Sequence, residues 1–179
     1  MAKPSSQQIE ELTRLREFVI EVMMAMEVWS EEELTKLNAI ELGVLRKNAT
    51  QRHGVTRWKR GVKNPTKPEQ VDVIDLHPRL LTKDWIPYGA WVLHHEFVHA
   101  LGYTAHDSTF RSLEKLWPSQ ESSTMGLDFT EMLRREKAKW LWVCDTCKKE
   151  YPRQKPGKGR YLCRKCRTIL KDVPNDTVQ

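Results

Sequence analysis

His95, Glu96 and His99 form a His-Glu-x-x-His sequence. On a helix, residues four apart lie on one face, with Cβ atoms about 5–6 Å apart. Two imidazoles at that spacing can hold one Zn²⁺, and the Glu projects toward the same ion. A catalytic zinc needs a third protein ligand and one position open to water. His106 is the candidate, because Gly102 can end the helix and let the chain turn back. His94 is one residue out of register for chelation with His99, so it is expected to support the site or fill the core.

The four cysteines make a second constellation. Cys144-x-x-Cys147 and Cys163-x-x-Cys166 are separated by 15 residues. That is the spacing at which two knuckles clamp one tetrahedral ion as a Cys₄ zinc ribbon. Disulfides or an iron site are the competing uses; a reducing compartment favours metal. About 35 residues bury too little to fold alone, so the ion should supply much of this module's folding energy. The expected cofactors are two Zn²⁺ per chain, one catalytic and one structural.

Other elements must position these ligands. Leu12, Leu15, Val19, Val22 and Met26 step by three and four, which predicts a helix within 5–29. Met23, Met24 and Met26 read as core filling. Ser30 and Glu33 form a capping box, and Leu34, Leu37, Ile40 and Val44 extend the helical pattern, so 5–47 is expected to be a helical scaffold. Residues 48–81 read as a basic β region, with strands at 55–60 and 71–76 joined as a hairpin by a basic loop. His53 and His77 are ordinary polar residues in this reading. A turn at 84–87 leads into the helix that carries the metal motif, whose Trp91, Val92, Leu93, Phe97, Val98 and Leu101 are apolar. Asp107 or Ser108 caps a further helix with Phe110, Leu113, Leu116 and Trp117 toward the core, ended by Pro118. Residues 88–117 thus form the zinc-site helices. A polar loop at 119–124 and a helix at 129–139 follow.

The fold class expected is α+β: a mostly helical domain over 1–139 with a small antiparallel sheet beside the metal helix. A ribbon at 140–173 and a tail at 174–179 complete the chain. Residues 140–179 carry ten Lys/Arg against four Asp/Glu, whereas 1–139 is balanced at 20 of each. Within the first part, 46–67 holds eight Lys/Arg and no acid. Two basic segments point to a polyanion partner. The contacts expected from the first are Arg57, Trp58, Lys59, Arg60 and Lys63. Those expected from the ribbon are Lys148, Lys149, Tyr151, Arg153, Lys155, Lys158, Arg160 and Arg164. Trp140, Trp142, Tyr151 and Tyr161 lie among these cations; aromatic faces can stack unpaired bases, so DNA with single-stranded character is the expected partner. Trp142 and Tyr161 are also expected to form part of the ribbon's small core. No run approaches the roughly 18 apolar residues of a membrane span. No N-terminal apolar segment reads as a signal peptide, so the expectation is an intracellular protein, cytoplasmic and nucleoid-associated, or nuclear in a eukaryote.

The His-Glu-x-x-His helix, the His-Asp-Ser-x-Phe run at 106–110 and the trailing Cys₄ module together resemble the SprT-like (Spartan-type) metalloproteases. The Leu-His-Pro-Arg-Leu-Leu run at 76–81 adds to the resemblance, which covers roughly 46–172. It implies a DNA-dependent zinc endopeptidase that cleaves proteins bound or crosslinked to DNA, with His95, His99 and His106 as ligands, Glu96 as general base and the ribbon as a DNA-sensing module. The gap from His99 to His106 is shorter than in Spartan-type enzymes. Tyr88, Tyr103 and Arg79 are candidates for assisting the oxyanion. Two other readings compete. One is a non-proteolytic zinc-ribbon DNA-binding protein. The other is a metzincin-like protease independent of DNA, with Ser-Thr-Met-Gly at 123–126 as its methionine turn.

Overall fold

Ser5 and Ser30 open two helices by the same device. Each hydroxyl accepts from the backbone three residues on, and the side chain there (Gln8, Glu33) reaches back to the cap N–H. The structure is a computed structural model that describes residues 3–176. Helix α1 (Ser6–Met24) buries Leu12, Leu15, Val19, Ile20 and Met23 on one stripe. Helix α2 (Glu31–Lys36) is short. The strands are β1 (Glu41–Val44), β2 (Gly54–Trp58) and β3 (Val71–Leu76). Helix α3 (Ile86–Ala100) carries the metal motif, followed by α4 (Ser108–Glu114), α5 (Gln120–Thr124) and α6 (Gly126–Lys137). Strands β4 (Trp140–Val143), β5 (Glu150–Arg153) and β6 (Lys171–Pro174) close the described chain. The class is α+β, with six α-helices and two three-stranded sheets among the described residues.

The chain divides into two compact units, one up to Gly126 and one from Leu127. The boundary expected at 139/140 falls instead where β4 begins, inside the second unit. The end of α6 is bound to the cysteine module: Asn175 Nδ2 donates to the Arg135 and Ala138 carbonyls, and Gln154 Nε2 donates to that of Lys137.

In the first unit the sheet order is β1-β3-β2. β3 is central and buried at five of its six positions, as a strand covered on both faces requires. β2 runs antiparallel to it, from Gly54 opposite Leu76 to Trp58 opposite Val71. That is the expected hairpin. β1 lies parallel to β3, Glu41 opposite Val73 and Val44 opposite Leu76, so the sheet is mixed, not purely antiparallel. α1 and α3 pack on one another, and Phe97, Phe110, Leu93, Leu34 and Ile74 are fully buried in this unit. Burial of each such side chain contributes about 1.5–3 kcal/mol.

Several expectations fail locally. The helix expected through Val44 stops at Lys36; a 3₁₀ turn at Leu37–Ala39 leads into β1. Ile40 and Val44 are buried, but as sheet residues. Residues 119–124 form α5, capped by the Ser119 hydroxyl, not a loop. Leu116 and Met24 are exposed, although both were assigned to the core. No described helix is long and apolar enough to cross a membrane.

In the second unit β4 is central, with β5 and β6 antiparallel on either side. Around its cysteines lies a small cluster of Trp142, Cys144, Cys163 and Leu170, with Tyr151 packed against them; Phe129, Leu133, Ala138 and Leu141 are buried as well.

Candidate metal centres

Helix α3 is apolar on most of its surface, so only its polar stripe faces a cleft. The cleft, of about 460 Å³, is lined by His95, Glu96, His99 and His106 together with β2. His99 Nε2 lies 3.0 Å and His95 Nε2 3.2 Å from His106 Nε2. Two imidazole nitrogens bound to one tetrahedral Zn²⁺ at 2.0–2.1 Å are about 3.3 Å apart. The chain returns His106 to this point through Gly102, at φ +104°, a backbone region that favours glycine. A Cβ there would also come within 2.9 Å of the Thr66 carbonyl oxygen.

The outer nitrogens decide what the inner ones can do. His95 Nδ1 donates to Glu114 Oε1 at 2.7 Å, and His99 Nδ1 donates to the Tyr103 carbonyl at 2.7 Å. These partners assign the ring protons to Nδ1. Both Nε2 atoms of the neutral rings are then acceptors. Acceptors converging this closely suit a shared cation. Burial holds the His99 ring down at about 4, so it is neutral and ready to ligate. Burial works against the Glu114 carboxylate, yet the hydrogen bonds from His95 and Arg111 outweigh it and hold the group at about 2. Arg111 Nη1 reaches Glu114 Oε2 at 2.7 Å. Glu114 and the Tyr103 carbonyl were not foreseen from sequence.

Glu96 is 5% exposed and lines the same cleft as the three imidazoles. Thr56 Oγ1 donates to its Oε2 at 2.7 Å. Burial pushes the Glu96 carboxyl up, against the pull of that hydrogen bond. Gly54 makes the room: a Cβ there would lie 2.6 Å from Glu96 Oε1 and 2.7 Å from Val92 Cγ1. His94 is fully buried, its Nε2 3.3 Å from the Leu113 carbonyl, as expected of a core residue. None of Tyr88, Tyr103 and Arg79 lines the cleft; Arg52, Trp58 and Thr104 do. His53 Nδ1 meets the Tyr88 hydroxyl at 2.7 Å, and His77 caps the turn at Pro78–Leu81. Met125 is the C-cap of α5.

The second unit gathers Cys144, Cys147, Cys163 and Cys166, as the first gathers its three histidines. Within each group the ligand atoms lie within 4.8 Å of one another, a set that could hold a metal ion. All four cysteines are free. Cys147 Sγ and Cys163 Sγ are 3.7 Å apart; two thiolates bound to tetrahedral Zn²⁺ at 2.3 Å are separated by about 3.8 Å. The two halves repeat one backbone design. Lys148 N–H donates to Cys144 O and Arg167 N–H to Cys163 O, at 2.8 and 2.9 Å. Cys144 N–H then pairs with Lys149 O, and Cys163 N–H with Thr168 O, at 3.0 and 2.8 Å. Lys148 and Arg167 take left-handed φ of 58° and 59°. A hydrogen bond from the Tyr151 hydroxyl holds the Cys163 thiol down at about 6, so its thiolate is the neutral-pH form.

The expected nucleic-acid contacts divide. Arg57 pairs with buried Asp75, Nε to Oδ2 2.8 Å, so it is tied into the sheet. Trp58 lines the cleft, while Lys59, Arg60 and Lys63 are exposed. In the second unit Lys148, Lys149, Arg153, Lys155, Lys158, Arg160 and Arg164 are exposed. The Arg153 guanidinium lies 4.9 Å from the centre of the Trp142 ring and 6.0 Å from that of Tyr151, and Lys149 Nζ 5.5 Å from that of Tyr151. Trp142 and Tyr161 stack at 4.2 Å; Trp142 is buried, whereas Tyr161 is 49% exposed. No protein family, curated protein or solved structure matches the chain.

Proposed function

We propose that the chain is a zinc endopeptidase of the SprT-like kind, dependent on DNA and acting on proteins bound or crosslinked to it. The observation that carries this reading is the convergence of three Nε2 atoms in a cleft that also holds a buried carboxylate. His95, His99 and His106 would hold the catalytic Zn²⁺, and the four cysteines the structural one. Bound in the cleft, Zn²⁺ lowers the pKa of a water toward about 7 and polarises a carbonyl.

The chain's own residues would do the rest. Glu96 is anchored through Oε2 on Thr56, with Oε1 against Gly54. Its raised pKa suits a group that takes a proton and gives it to a leaving amine. Glu114 and the Tyr103 carbonyl keep two imidazoles in the ligating tautomer. β2 pairs with β3 on one edge only, and four of its five residues line the cleft. A free strand edge can take up an extended peptide by backbone hydrogen bonds. This favours a protein substrate over a small molecule. In the second unit, exposed cations beside the half-exposed Tyr161 suit phosphates and unpaired bases.

The test is cleavage of a basic DNA-bound protein by the purified chain, with and without single-stranded DNA. The expectation is two zinc ions per chain, cleavage that requires DNA, and none with Glu96→Gln, which keeps both ions. Native-rate cleavage by zinc-loaded Glu96→Gln would end the reading.

A further inference from the structure

Apart from the metal cleft, the first unit holds a cavity of about 320 Å³ lined by Trp91, Arg111, Glu114, Lys115, Gln120 and Ser123, among others. His95 lines the cleft and not this cavity; Glu114 lines this cavity and not the cleft. Glu114 therefore stands between the two, with Oε1 on His95 and Oε2 on Arg111. Both its oxygens are engaged, and its charge and that of Arg111 offset one another. What remains is Lys115, exposed with no ion-pair partner among the described residues, while Arg111, half exposed, can turn from Glu114 to a second anion. Trp91 is partly exposed and stacked on Tyr88, centroids 5.7 Å apart and planes at 15°. Gln120 and Ser123 add a side-chain amide and a hydroxyl. A planar platform, amide and hydroxyl groups and two cations match a nucleobase with its phosphate. An acidic peptide would use the cations and leave the indole idle. Ligand pockets run from about 300 to 1,000 Å³, so this one has room for a single nucleotide and not for duplex.

We propose that this cavity binds one unpaired nucleotide of a nucleic-acid strand, and that Arg111 and Glu114 couple its occupancy to the metal ligand His95. This deepens the reading above and rests on it for the nature of the partner. A phosphate at Arg111 and Lys115 draws the guanidinium away from Glu114. The carboxylate is then left to His95 Nδ1–H, which makes that imidazole a stronger donor. Strand and metal thus tighten one another, by the same factor in each direction.

The test uses the full, zinc-loaded chain and a photoreactive iodouracil oligonucleotide, with crosslinked residues mapped by mass spectrometry. A crosslink at Trp91 is expected. Lys115→Glu, at an exposed position, should weaken capture there at least tenfold while zinc content and any crosslink at Tyr161 stay unchanged. Ser123→Trp, which fills the cavity from another exposed position, should do the same. Competition for zinc by a chelator should be slowed by the oligonucleotide in the native chain and not in Lys115→Glu. Free thymidine monophosphate separates two sources of the same chemistry. Capture that survives an excess of it supports the strand, and displacement at equal concentration overturns the strand in favour of a free nucleotide. Crosslinks confined to Trp142 and Tyr161 overturn the cavity and leave the DNA-dependent protease standing. No crosslink anywhere overturns both.

Discussion

The two candidate metal sites use opposite strategies. The histidine site takes two ligands from one helix and a third from the exposed loop after it, and it opens on a cleft. Its geometry is held from outside, by Glu114 and a backbone carbonyl. The cysteine site draws two ligands from each of two matching knuckles and holds them with the knuckles' own backbone hydrogen bonds. Three protein donors leave a coordination position for chemistry; four close it. The surroundings differ in the same sense. The first unit has a large apolar core built mostly away from its histidines, whereas two of the four residues clustered at the second site are themselves its cysteines.

Metal removal should expose this contrast most visibly. Structural zinc sites return about 10–16 kcal/mol of apparent binding energy as folding energy. A strong chelator should therefore unfold the second unit, with loss of amide-exchange protection in β4, while α1 and α3 stay protected. Equal loss in both units would deny the contrast. The next largest effect belongs to the open site alone. General-base catalysis contributes about 100- to 10,000-fold, so Glu96→Gln should lower peptide cleavage by that factor with the melting behaviour of both units unchanged.

How much of this was legible follows distance along the chain. The seven candidate ligands sit in short spacings that a helix or a knuckle turns directly into geometry, so they could be named from sequence. Glu114, Thr56 and Gly54 serve the site only because α4 and β2 are brought to α3 by the tertiary fold, and no local pattern announces that. β1 was misread for a related reason. Leu34, Leu37, Ile40 and Val44 keep helical steps, but the strand of four residues owes its form to its parallel partner β3. Leu116 fails because Pro118 and the early end of α4 at Glu114 move it off the helical stripe.

Acid should act on the first unit through its imidazoles. Burial lowers His94 from 6.5 to about 4. Between those values the unfolded chain binds more protons, so stability is full above pH 6.5 and falls as pH drops toward 4. For His94 alone the loss is about 3 kcal/mol. His99, also held down at about 4 by burial, contributes in the same direction. His53 and His106 are lowered as well, by burial. In metal-free protein His94→Phe should therefore flatten, without abolishing, the pH slope in urea unfolding; an unchanged slope would place the titration elsewhere. A smaller effect tests the outer support. Glu114→Ala should weaken zinc at the histidine site about 10- to 100-fold and leave the cysteine site untouched. Glu114→Gln, which can still accept from Nδ1–H, should recover part of it.

The smallest effect concerns the knuckles, where the fold and the proposed nucleic-acid contact would make opposite demands on one residue. Lys148 holds φ 58°, a conformation that costs a non-glycine residue about 1–2 kcal/mol. Glycine adopts it freely but loses more entropy on folding, by about 0.5–1 kcal/mol. Lys148→Gly should therefore raise the stability of the second unit by at most about 1.5 kcal/mol. The same variant should bind single-stranded DNA more weakly, and its log–log salt slope should fall by about 0.7, the release expected for one phosphate contact on a single strand. Arg167 occupies the matching position at φ 59°, so Arg167→Gly serves as the internal control for the backbone effect. Equal stabilisation in both, with DNA affinity unchanged in both, would make the knuckle cations ornaments of the surface and leave Tyr161 and its neighbours as the whole of the contact.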